Sequence, residues 1–173
     1  MKSRLPVAVA VLLSVVVLAG CDGQPDPRAY PGSESGVSWE EASARFQMTL
    51  PPCPVKEFHF DVQPRLTERL AFAFVAPKSC VDEFLKRYGD DPANPTRTWP
   101  IGEARPPYDE ARPPFDADEM RQFGWTHDPK AKASLYTRLE TPYHATFSAF
   151  VKSGPEETVY VRSRTSGFPD RSK

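Results

Sequence analysis

Glu57, His59 and Asp61 stand at alternate positions in the run Glu57-Phe58-His59-Phe60-Asp61-Val62, so in an extended strand all three project from one side. A carboxylate beside an imidazole can exchange protons with a substrate, and the three groups together can offer ligands to a metal. The same alternation also describes the solvated outer face of a half-buried strand, with Phe58, Phe60 and Val62 turned inward. His127, in Trp125-Thr126-His127-Asp128-Pro129, and His144, at the opening of a later strand, are far away in sequence and read as surface residues. No nucleophile elbow, phosphate loop, dinucleotide fingerprint or paired-histidine zinc spacing occurs in the 173 residues. The expectation is therefore no catalytic set, no metal and no cofactor.

A second group of residues suggests binding rather than catalysis. Glu103-Ala104-Arg105-Pro106-Pro107-Tyr108-Asp109 is followed at once by Glu110-Ala111-Arg112-Pro113-Pro114-Phe115-Asp116, a tandem repeat inside a proline-dense stretch. Paired prolines favour an extended polyproline II path, which displays an arginine and an aromatic ring twice at low entropic cost. With Trp99 before it and Trp125 after it, the stretch makes Trp99, Arg105, Tyr108, Arg112, Phe115 and Trp125 candidate contacts for an envelope protein partner. Two other origins stay open: a seven-residue duplication tolerated in a surface loop, and aromatic rings that pin that loop to its own domain.

The start of the chain carries an address. Lys2 and Arg4 precede an apolar run from Leu5 to Leu18, and Leu18-Ala19-Gly20-Cys21 closes it with small residues, which is the layout of an export signal. The run is shorter than the roughly 20 residues that a membrane-spanning helix needs. The tetrad resembles the bacterial lipoprotein box. That resemblance covers the first 21 residues only and implies cleavage before Cys21, acylation of its thiol and anchoring to the extracytoplasmic face of the cell membrane. In an envelope with two membranes it also implies retention at the inner one, from Asp22. Two acyl chains suffice for stable attachment, with each buried methylene contributing about 0.8 kcal/mol.

With Cys21 assigned to lipid, Cys53 and Cys80 are an even pair in a compartment that permits disulfides, and a bond between them is expected. A catalytic thiol at Cys53 served by His59 has no electropositive surroundings to support it. Two of the 22 basic residues lie in the leader, which leaves 20 against 23 acidic ones, too balanced for nucleic acid to be a partner.

The predicted organisation is a signal peptide over 1–20, a lipidated N-terminus and flexible tether over 21–38, a globular domain over 39–164 with a proline-rich insertion at 90–115, and a disordered tail over 165–173. Within the domain, Ser38 and Glu41 have capping-box spacing for a short helix, and strands are expected at 46–50, 57–62 and 69–76. A helix capped by Ser79 and stopped by Gly89 follows, with Val81, Phe84, Leu85 and Tyr88 as its apolar stripe, packed on the small-residue side of the strand before it. After the insertion come a short helix from Ala117, capped by Asp116 with Glu119, and a meander of strands at 134–140, 144–152 and 158–164. The fold class is α+β, a single domain with a mostly antiparallel sheet of about six strands and one or two helices on one face. The expected role is a non-enzymatic envelope binding module, with an envelope hydrolase or metal-dependent enzyme and a small-ligand carrier as alternatives.

Overall fold

The computed structural model describes residues 25–34, 36–63, 69–101 and 113–163. Cys21 and the leader, Arg105, Tyr108, Arg112 and the 165–173 tail lie outside that range.

Among the described residues, six strands form one sheet: β1 (Lys56–Gln63), β2 (Arg69–Ala76), β3 (Arg97–Trp99), β4 (Ala133–Glu140), β5 (Thr146–Lys152) and β6 (Glu157–Ser163). They lie in the order β1-β2-β6-β5-β4-β3, with every neighbouring pair antiparallel. The helices are α1 (Trp39–Phe46), α2 (Lys78–Arg87) and α3 (Ala117–Gln122). This is the α+β arrangement expected.

Both faces of the sheet are covered. On one, Val81, Phe84 and Leu85 of α2 and Trp39, Ala42 and Phe46 of α1 pack on Phe60, Leu70, Phe72, Phe74 and Phe147. The Phe72 ring lies 5.3 Å from Trp39 and 6.3 Å from Phe84, so it joins the two helices. Each such ring, fully buried, is worth roughly 1.5–3 kcal/mol of transfer free energy. On the other face α3 and its flanks cover Ala71, Ala73, Phe150 and Tyr160. The expectation that α2 packs on the alanine side of β2 is corrected here. Alternation of phenylalanines and alanines shows that both faces are buried, but the small side is filled by bulky rings, with Trp125 stacked on Tyr160 at 5.0 Å.

Local chemistry explains other departures. The strand expected at 46–50 does not form, because Phe46 ends α1 and Gln47 turns left-handed at φ 50°. The amides of Gln47 and Met48 then close on the carbonyls of Ala44 and Ser43, and Met48 swings back into the core. Ser79 does not cap α2; Pro77 does, its extended backbone leading in and its carbonyl accepting from Cys80 and Val81. Gly89 (φ 86°) makes the expected stop, with its own amide on Lys86 and that of Asp90 on Leu85. His144 is not a strand residue but the left-handed corner (φ 59°) of the turn before β5. Within the stretch expected to be irregular, three residues pair with β4 as β3, too short a run to show periodicity.

Part of the stretch expected as a flexible tether, 21–38, is held against the domain. Residues 25–34 run along the free edge of β1, with Tyr30 N–H donating to the Phe60 carbonyl (2.7 Å), Phe60 N–H to Arg28 (3.0 Å) and Glu34 N–H to Val62 (2.9 Å). This strip satisfies backbone groups that an edge strand would otherwise present. Asp26 accepts from Trp39 N–H at the start of α1, and Arg28, bound to both Asp26 and Glu40, holds the Asp26 carboxyl well below the usual range. Cys53 and Cys80 form the expected disulfide, tying the first turn of α2 to the segment after α1 across a separation of 27 residues.

Candidate functional site

Strand register places Asp61 opposite Ala71 and Ala71 opposite Arg162, so the three form a row across β1, β2 and β6 on the α3 side. Gln63 and Arg69 form the neighbouring row. The methyl group of Ala71 leaves a gap between an acid and a base, and α3 closes it from above with Glu119 and Phe123. The result is a cleft of about 240 Å³ between helix and sheet.

The cleft is polar and internally charge-balanced. Glu119 lies 2.9 Å from Arg162 Nη1 and 3.6 Å from Arg69 Nη1. The contact with Arg162 is an ion pair to Nη1, while Arg162 Nε is buried with no hydrogen-bond partner. Asp61 is 2% exposed and accepts from Gln63 Nε2 at 2.8 Å, while that amide also donates to the Gly32 carbonyl. Burial pushes the Asp61 carboxyl above its ordinary value; the Gln63 hydrogen bond opposes this and the Glu119 charge adds to it. Glu119 is likewise raised by burial, against the pull of Arg162 and Arg69.

One row along, His59 faces Ala73 and Ala73 faces Tyr160. Above them lies an aromatic groove of about 510 Å³, bounded by Tyr30, Phe123 and Trp125. Tyr30 sits 5.0 Å from Phe123 and 5.4 Å from His59, and its hydroxyl accepts from Trp125 Nε1 at 3.0 Å. Phe123 borders both cavities, so the polar cleft and the groove are neighbours on one surface.

The structure separates the sequence candidates. Glu57, His59 and Asp61 do not act together: a bulge between Lys56 and His59 puts Glu57 at φ 49°, Glu57 and His59 are exposed, and Asp61 is buried under α3. The solvated strand face expected there is corrected at Asp61. Among the described residues no group of three His, Cys, Asp or Glu side chains is placed to hold a metal. Trp99, Phe115 and Trp125 are 2%, 7% and 5% exposed and belong to the core on the α3 side, so none of the three offers its ring as a surface anchor. His127 is half-buried against Trp99 and Phe150 rather than on the surface.

Arg69, Glu119 and Arg162 were not among the sequence candidates. Glu119 stands where a capping box has its acid, yet its side chain turns from the helix end to the arginines, and Asp116 alone caps α3. The available signal was Arg162 two positions after Tyr160, on the face of β6 opposite Val159 and Val161. Compared with family models, curated proteins and solved structures, the chain matches none of them.

Proposed function

We propose that this protein is a lipid-anchored binding module of the cell envelope, held by Cys21 on the extracytoplasmic face of the membrane, and that it engages its envelope partner or ligand at the cleft under α3 without catalysis. Support for the address comes from the lipobox-like tetrad after an apolar leader. The Cys53–Cys80 disulfide is in keeping with an oxidising compartment. Among the described residues no helix is long and apolar enough to cross a membrane. The observation that carries the binding role is a cleft lined by Asp61, Glu119, Arg69 and Arg162, in which the buried Arg162 Nε has no hydrogen-bond partner. Leaving that donor unpaired costs about 1–3 kcal/mol. The cavity takes the place of the proline-rich segment as the favoured contact, because the described rings of that segment are engaged inside the domain.

The test of the address is fractionation with a clickable palmitate label. Wild type is expected in membranes, labelled, with a mature N-terminus at Cys21. Cys21→Ser should remain unlabelled and keep its leader. Unlabelled wild type in the cytosol would overturn the proposal. The hydrolase alternative keeps one supporting observation, two carboxyls held above their ordinary range on one cavity. Turnover of any ligand that binds the cleft would favour it.

A further inference from the structure

We infer that the cleft under α3 takes a neutral saccharide, with sugar hydroxyls bridging Asp61, Glu119 and Arg162 and the ring lying against Phe123. The inference rests on the binding role proposed above and names the ligand class. Carboxylates only accept hydrogen bonds and guanidiniums only donate them, whereas each hydroxyl does both. The cleft sets acceptors (Asp61, and Glu119 in its ion pairs with Arg162 and Arg69) around guanidinium donors (Arg69, and Arg162, whose Nε has no hydrogen-bond partner), with the amide of Gln63 alongside. Adjacent hydroxyls of a sugar ring can answer these groups together.

Charge decides against the other small ligands. Two carboxylates and two guanidiniums line the space, so their formal charges cancel. An anion would have to displace Glu119 from Arg162 and Arg69, and an amine cation would face both guanidiniums. A neutral polyhydroxyl ligand meets neither penalty. The apolar wall fits the same class: Phe123 flanks the polar groups, and beyond it the groove edged by Tyr30 and His59 gives room for a further sugar unit. Ala71 and Ala73 keep the floor of both spaces low.

The test is calorimetric titration of the full-length protein, in a detergent without a sugar headgroup, with chitotriose, maltotriose and xylotriose, and with spermidine and inorganic phosphate as charged probes. At least one trisaccharide is expected to bind with a Kd of about 1 mM or tighter. Asp61→Asn and Arg162→Lys should each weaken it by roughly ten- to a hundredfold, the loss of one charge-assisted hydrogen bond. Thermal melts check that both variants stay folded, and Ala71→Leu, which fills the floor, provides an independent block. The inference is overturned if no trisaccharide binds, if all three variants bind as wild type does, or if spermidine or phosphate takes the cleft in preference. A labelled, membrane-bound protein that ignores saccharides sinks this inference alone. A saccharide-binding protein without lipid sinks the anchoring proposal alone.

Discussion

Asp61 lowers stability at neutral pH. Its carboxyl is held above the ordinary value by burial, so the folded form keeps its proton to higher pH than the unfolded chain does. The stability this gives is complete below the ordinary carboxylate range and is lost as pH rises through the raised value in the folded state. Asp61→Asn should therefore raise the Tm at pH 7.5, and the gain should shrink towards pH 4, as differential scanning fluorimetry across pH would show. A buried carboxyl that costs stability at neutral pH is in keeping with the proposed ligand site. Asp26 behaves oppositely. Arg28 and the Trp39 amide hold it far below its ordinary value, so its stabilisation is present above the ordinary range and fades as pH falls. Asp26→Ala should cost roughly 1–2 kcal/mol at pH 7, with less effect in acid.

At the scale of elements, α2 was the most legible in the sequence and the cleft the least. Val81, Phe84, Leu85 and Tyr88 recur at helical spacing, and Gly89 can take a left-handed turn that few residues tolerate, so periodicity and stop signal agree. The disulfide followed from parity and from the compartment that the leader leads one to expect. It closes a loop of about 28 residues, and Cys80→Ser should lower the unfolding free energy by roughly 2–4 kcal/mol in urea titrations, with the m-value little changed. The strand misread at 46–50 shows the limit of alternation: Phe46, Met48 and Leu50 look extended, but a left-handed Gln47 inserts a turn between them. The bulge at Glu57 is hidden in the same way, since nothing in Lys56-Glu57-Phe58 departs from ordinary strand composition.

In the whole molecule, the site was illegible because it is a product of register. Asp61, Ala71 and Arg162 become neighbours only when β1, β2 and β6 align, and Glu119 reaches them only because α3 lies on the face opposite α1 and α2. The α+β class needed no such detail, since strand runs, turn residues and one clear helix suffice for it. Because the two apolar layers share β2, β5 and β6, they should melt as one. Trp39 reports on one layer and Trp99 and Trp125 on the other, so tryptophan emission and far-ultraviolet dichroism should give a single midpoint in denaturant. Distinct midpoints would mean that the layers open separately. The strip along β1 bears on how such a domain could be shed. If Cys21 carries lipid, only the three residues 22–24, a reach of about 14 Å at full stretch, separate it from Pro25, where the described fold begins. A surface protease would find little slack to grip and would first have to unzip residues 28–34. A cut beyond Tyr30 would free the domain while removing the hydroxyl to which Trp125 bonds, so release from the cell would blunt the aromatic groove in the same stroke.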